Sequence, residues 1–120
     1  MKVLIVDDSK AMRMIVKRTL FQTDLGKCNV MEAEDGAQAL SMVQEDTPDL
    51  ILCDWNMPTM SGIDFLKELR ATGSEVPFGF ITTESGEQTR ELAMETGAQF
   101  LIKKPFNADA LNAQVSTLAL

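Results

Sequence analysis

The chain has 120 residues, 45% of them hydrophobic and 24% charged, which suits one globular domain and leaves no room for a second. Its net charge of −7 argues against a sequence-independent nucleic-acid binder, which needs a basic face, and fits protein partners or a site that gathers carboxylates around a cation. Histidine is absent, which removes Ser-His-Asp and Cys-His pairs, histidine zinc sites and any phosphohistidine in the chain itself; Cys28 and Cys53 lie too far apart for a CxxC motif.

The first apolar run, residues 3–6, is cut short by Asp7 and Asp8, so it reads as a strand and not as a signal peptide. No run approaches the roughly 20 apolar residues of a bilayer span, and the expected location is the cytoplasm. A helix follows over about 9–20, with Met12, Val16 and Thr19 or Leu20 on one face. The second run, residues 30–31 with their flanks, ends in Glu32-Ala33-Glu34-Asp35-Gly36, which turns the chain. The second helix sets Ala37, Leu40 and Val43 inward. The third run, 50–53, leads to a helix that begins near Gly62 and buries Phe65, Leu66 and Leu69; Cys53 reads as a small core residue. After the run 78–81 comes a short polar helix over about 87–96, with Leu92 and Ala93 inward and Gly97 as its stop. A run at 100–102 precedes the last helix, which starts at about Ala108, is capped by Asn107 and carries the stripe Leu111, Val115 and Leu118.

Four of the five runs are continuous instead of alternating, as parallel strands covered on both faces require. Five strand–helix alternations predict an α/β fold: a doubly wound parallel sheet with helices on both faces, residues 1–120 forming one unit.

In such a sheet, ligands gather outside the carboxyl ends of the strands, near the point where strand order reverses. The residues following each run are therefore the ones to inspect: Asp7 and Asp8, Asp54, Thr82 and Thr83, Lys103 and Lys104. If the first and third strands are neighbours, as in the order 2-1-3-4-5, Asp7, Asp8 and Asp54 converge. Two carboxylates about 5 Å apart repel by roughly 3 kcal/mol at an effective dielectric near 20. Three together either hold a proton or recruit a hard cation. Mg²⁺ fits best, because it takes one or two carboxylates, a carbonyl and several waters. A carboxylate can attack phosphorus to give an acyl phosphate, provided that positive charge and donors meet the transferring oxygens. Asp54 is the candidate nucleophile, Lys104 the cationic side chain and Thr82 the donor. Pro105, next to Lys104, fixes the turn that aims it.

Together these residues resemble the response-regulator receiver domains, and among them the stand-alone chemotaxis receivers. The matching segments are Val3-Leu4-Ile5-Val6-Asp7-Asp8-Ser9, Glu32-Ala33-Glu34-Asp35-Gly36, Asp54-Trp55-Asn56-Met57-Pro58, Met60-Ser61-Gly62, Ile81-Thr82-Thr83-Glu84 and Lys104-Pro105-Phe106, spread over essentially the whole chain. The resemblance implies the flavodoxin-like strand order 2-1-3-4-5. By it, Asp54 matches the phosphoacceptor, which also ligates the metal, and Asp8 matches a direct Mg²⁺ ligand. Asp7 corresponds to an acid that reaches the metal through water, and Asn56 to the residue that lends a backbone carbonyl. Thr82 and Lys104 match the groups that register phosphorylation, and the Lys104–Pro105 bond matches one that is cis. Asn56 and Glu84 match the two variable positions that tune loss of the phosphoryl group.

The implied function is a two-component response regulator, acting in chemotaxis or motility and without an output domain. A histidine kinase or phosphotransfer protein donates the phosphoryl group, water removes it, and a downstream protein binds the fourth helix, fifth strand and fifth helix. Such a chain would catalyse its own phosphorylation and dephosphorylation without being a conventional turnover enzyme. It would act as a monomer, with no nucleic acid and no membrane insertion. One departure stands out: Leu101 occupies the position of a fifth-strand tyrosine in the chemotaxis receivers, and the chain has no tyrosine at all. Leucine can change rotamer but has no hydroxyl and less area to exchange, so the coupling, or the partner that reads it, is expected to differ.

Other readings compete. A phosphorelay shuttle or a kinase's phosphate sink would share every motif. A flavodoxin-like cofactor binder needs a hydroxyl- and glycine-rich loop after the first strand, where Asp7-Asp8-Ser9 would repel a phosphate. An aspartyl-phosphate phosphatase needs Asp-x-Asp there, and Ser9 stands in the second acid's place. A phosphorylation-independent docking module has no use for the full set of site residues.

Overall fold

The computed structural model describes residues 1–84, 86–118 and Leu120. Five strands alternate with five helices: β1 (Lys2–Val6), α1 (Lys10–Phe21), β2 (Asn29–Ala33), α2 (Gly36–Glu45), β3 (Leu50–Cys53), α3 (Gly62–Ala71), β4 (Phe78–Thr82), α4 (Glu87–Thr96), β5 (Phe100–Lys103) and α5 (Ala108–Val115). The strands form one parallel sheet in the order β2-β1-β3-β4-β5. The chain thus winds outward in both directions from β1 and β3, which lie side by side with Val6 opposite Cys53.

Alternation along each strand divides the core into two layers. Leu4, Val6, Ile51 and Cys53 pack with Ala39, Val43, Phe65, Leu66, Leu69 and Ala93, from α2, α3 and α4. Val3, Ile5, Leu50 and Leu52 pack with Val16, Leu20, Leu111 and Val115, from α1 and α5. Residues 3–6 of β1 and all of β3 are buried on both faces, which is why their sequences are unbroken apolar runs. Edge strand β2 buries only Ala33 fully and reads more weakly in the sequence for that reason.

Four helices begin at a side-chain cap: Ser9, Asp35, Ser61 and Asn107 accept from the backbone N–H of Met12, Gln38, Asp64 and Ala110 respectively. Each such cap contributes about 1 kcal/mol. Among the described residues α4 has none, since it starts at Gly86. Its other end is secured: Gly97 turns left-handed at φ 115°, and the Arg70 guanidinium donates to the carbonyls of Ser74, Val76 and Gly97 at 3.1, 2.8 and 2.8 Å. The helix is therefore anchored where it enters β5 and weakly held beside the carboxyl edge of the sheet.

Several inward assignments differ from expectation. On α4 the buried residue is Ala93, with Thr89 and Thr96 half-buried one turn to either side, and Leu92 points outward, 39% exposed. On α2 the buried residues are Gly36, Ala39 and Val43, while Ala37 and Leu40 are half-buried at its flank. Leu118 packs against the core from beyond the end of α5. On α1 the buried stripe is Arg13, Val16 and Leu20, with Met12 only partly covered.

Candidate functional site at the carboxyl edge of the sheet

Because β1 and β3 are neighbours, the residues that leave their carboxyl ends leave together. Asp54 donates its backbone N–H to the Val6 carbonyl at 2.9 Å, and Asp7 donates its own to the Ala33 carbonyl at 3.1 Å. Oxygen atoms of Asp7, Asp8 and Asp54 all lie within 4.8 Å of one another. Asp7 is buried, Asp54 partly buried and Asp8 exposed.

Lys104, at the end of β5, reaches into the cluster. Its ammonium lies 3.1 Å from Asp7 Oδ2 and 3.4 Å from Asp54 Oδ2. The Lys104–Pro105 peptide is cis. Two further hydrogen bonds orient the acids: the Ser9 N–H donates to Asp7 Oδ1 at 2.9 Å and the Trp55 N–H to Asp54 Oδ1 at 2.7 Å. Three carboxylates beside one ammonium leave an excess of negative charge at a shallow rim, which suits a hard cation better than an enclosed substrate. The concavity of about 310 Å³ bordered by Met14, Phe21 and Glu32 lies along α1, away from these acids.

Thr82 is fully buried at the end of β4, and its hydroxyl oxygen accepts the Glu84 N–H at 3.1 Å. No hydrogen bond joins it to the acids among the described residues; its proton is left to donate elsewhere. Asn56 and Glu84, each picked out separately from the sequence, touch: Asn56 Nδ2 donates to Glu84 Oε1 at 3.0 Å. The bond spans the loops after β3 and β4, and both residues are exposed. Thr83 and Lys103 are exposed and pair with none of the three acids. Leu101 is 2% exposed and sits in the core layer of Phe80 and Ala93.

In the sequence Gly62 stands out only as a helix start and motif member, and Arg13 not at all; the structure gives both a part in the site. Gly62 matters because a Cβ there would lie 2.0 Å from the carbonyl oxygen of Asp54. Arg13 is buried on α1 and bonds to the backbone of Asp7 at 2.6 Å. The signal available for Arg13 was its spacing, three and seven residues before the core positions Val16 and Leu20.

Cys53 lies directly beneath the cluster. Burial pushes its thiol well above the ordinary range, the charges of Asp54 and Asp7 add to this, and Lys104 opposes it. Burial also raises the Cys28 thiol, partly offset by the N-terminal ammonium. A disulfide reagent at pH 8 is therefore expected to modify native protein slowly and at Cys28 only, with Cys53 reacting after unfolding. Rapid labelling of both thiols in the native state would contradict this placement.

A profile of the response regulator receiver domain matches residues 3–116. The chemotaxis protein CheY-3 of Vibrio cholerae is 42% identical over 120 residues, covering 98% of this chain and 91% of that one. The chemotaxis protein CheY of Pseudomonas aeruginosa is 38% identical over 120 residues, covering 98% and 95%. Among solved structures, Vibrio cholerae CheY4 superposes with a TM-score of 0.83 at 37% identity, covering 96% of this chain and 95% of that one. With the acid cluster, the reaching lysine and the 2-1-3-4-5 sheet already in place, these likenesses identify the chain as a CheY-like member of the response-regulator receiver domains of two-component signalling.

Proposed function

We propose that Asp54 is the phosphoacceptor and that Asp8, Asp54 and the backbone carbonyl of Asn56 hold Mg²⁺, with Asp7 reaching it through water. The observation that carries this reading is the approach of three carboxylates to within 4.8 Å with a single ammonium among them. The donor set fits a hard divalent cation: it is all oxygen, partly exposed, and two charges negative. When bound, Mg²⁺ neutralises charge on the transferring phosphoryl group.

The chain's own residues do the rest. A carboxylate oxygen of Asp54 attacks the phosphorus of a phosphohistidine on a histidine kinase or phosphotransfer protein. The new O–P bond forms as the P–N bond breaks, and the donor imidazole leaves. Lys104 is within reach of the transferred oxygens, and the Thr82 hydroxyl turns its free proton toward them. That pull acts on the loop after β4, because the same hydroxyl accepts from Glu84. Asn56 and Glu84, bonded across the mouth of the site, govern how water reaches the acyl phosphate that it hydrolyses.

The output surface is α4, β5 and α5. Support comes from the loosely held start of α4 and its outward Leu92 and Met94, 39% and 40% exposed. The names of the relatives favour a chemotaxis regulator; the reading adopted is a cytoplasmic monomer that acts on a protein partner, the net charge of −7 disfavouring nucleic acid. A phosphorelay shuttle or phosphate sink is the second reading, favoured by Leu101, which is buried and has no hydroxyl to present to a partner.

The test is incubation with acetyl phosphate, with and without Mg²⁺. One phosphoryl group per chain, labile to hydroxylamine and absent in chelator, is the expected result; labelling that ignores Mg²⁺ sinks the proposal. Capture with and without beryllofluoride then separates the two readings. A regulator gains a target protein in the activated state, whereas a shuttle passes its label to a histidine of a phosphotransfer protein.

A further inference from the structure

The inner stripe of α1 holds a charged residue, Arg13, only 7% exposed and in line with Val16 and Leu20. A buried guanidinium is costly unless its donors are partnered. Here Nη1 donates to the backbone carbonyl of Asp7 at 2.6 Å and Nε to Glu32 Oε1 at 2.9 Å.

Asp7 is consequently held at every polar atom. Its N–H bonds the Ala33 carbonyl, its carbonyl accepts from Arg13, and its carboxylate oxygens meet the Ser9 N–H and the Lys104 ammonium. Asp8 is the opposite: exposed, with no side-chain hydrogen bond or ion pair among the described residues. What aims Asp8 is therefore its backbone, and the carbonyl held by Arg13 belongs to the planar peptide that joins Asp7 to Asp8.

We infer that Arg13 is a positioning residue for the metal site: by clamping the Asp7 carbonyl it fixes the plane of the Asp7–Asp8 peptide, and so the approach of the Asp8 carboxylate to Asp54. The inference rests on the reading of Asp7, Asp8 and Asp54 as the Mg²⁺ site. Electrostatics alone gives the opposite sign. A guanidinium near a cation site repels the cation, so a purely electrostatic Arg13 would weaken Mg²⁺ binding and its removal would tighten it. A clamp, once removed, loosens it.

The experiment is a Mg²⁺ titration followed by the fluorescence of Trp55, the sole tryptophan, whose N–H bonds Asp54 Oδ1 at 2.7 Å. R13M, which has neither charge nor donors, is expected to raise the Mg²⁺ dissociation constant about tenfold, as loss of an outer-shell partner does elsewhere. R13K, which keeps the charge without the forked geometry, falls between R13M and wild type. E32Q, which leaves the bond to the Asp7 carbonyl intact, stays within about twofold of wild type. Urea unfolding without metal confines the comparison to folded variants, and if R13M does not fold, R13K decides. Binding by the deciding variant as tight as wild type, or tighter, overturns the inference. A wild-type protein that does not bind Mg²⁺ overturns instead the site reading beneath it.

Discussion

Asp54→Asn takes up no phosphoryl label from acetyl phosphate, on a protein whose stability in chelator is almost unchanged: this is the expected result. The amide keeps the shape of the side chain and one acceptor for the Trp55 N–H, now at 2.7 Å from Asp54 Oδ1. It has no nucleophilic oxygen anion, so at least a thousandfold of labelling rate should vanish, on the order of 4 kcal/mol of transition-state stabilisation. The stability argument is a near cancellation. Removing the Asp54 charge relieves repulsion from Asp7, worth about 3 kcal/mol at an effective dielectric near 20, and a smaller, solvent-screened repulsion from exposed Asp8. It also removes attraction to Lys104, 3.4 Å away, worth about 5 kcal/mol in the same dielectric. With about 1 kcal/mol for the Asp8 repulsion, the balance is a net loss of about 1 kcal/mol, and Lys104 retains its pairing with Asp7. Saturating Mg²⁺ then separates the two proteins: at a hundred times its dissociation constant the ion stabilises wild type by about 2.7 kcal/mol, and the variant by much less. Unfolding curves in chelator and in Mg²⁺, run beside the labelling assay, check both halves. Residual hydroxylamine-labile label on the variant would assign the phosphoacceptor elsewhere.

The acids of the site were legible because position after a buried strand is a one-dimensional signal. An apolar run that stops abruptly at Asp7 or Asp54 marks the sheet edge whatever the rest of the chain does. The order that brings β1 against β3 is not periodic information, and it came from resemblance to a family. What stayed hidden depends on distances between segments remote in sequence. Asn56 and Glu84 could each be named, but not the bond between them across 28 residues. Arg13 drew no attention, because its partners are supplied from outside its own helix: Glu32 by β2, and the Asp7 carbonyl by the residue that follows β1. Leu92 was assigned inward by its hydrophobicity alone. The face that turns inward runs through Ala93, as expected, with Thr89 and Thr96 half-buried one turn to either side, and Leu92 falls outside it.

Gly62→Ala tests the same site from its scaffold. A Cβ on Gly62 would lie 2.0 Å from the Asp54 carbonyl oxygen and 3.0 Å from the Phe80 ring, and the nearer obstacle is backbone, which cannot swing aside. The Gly62 N–H is also tied to the Trp55 carbonyl at 2.8 Å, so the first turn of α3 and the end of β3 are fastened together at that point. One effect favours the variant: alanine is the better helix former by about 1 kcal/mol, largely because it narrows the unfolded ensemble. The overlap opposes it, since it demands that α3 retreat or that the Asp54 peptide rotate, and overpacking of this kind costs about 1–3 kcal/mol. A 2.0 Å approach to backbone puts the cost toward the top of that range, so urea unfolding should show a net loss of about 1–2 kcal/mol. The functional loss is expected to be larger. A reacting group displaced by about 1 Å loses on the order of a hundredfold in rate, and Asp54 is the residue displaced. Gly86→Ala is the matched control, because its backbone is unstrained and the nearest atom to the new Cβ, Thr89 Oγ1, is 3.9 Å away. If Gly62→Ala labels and unfolds like Gly86→Ala, the close seat of α3 against Asp54 does not exist in solution.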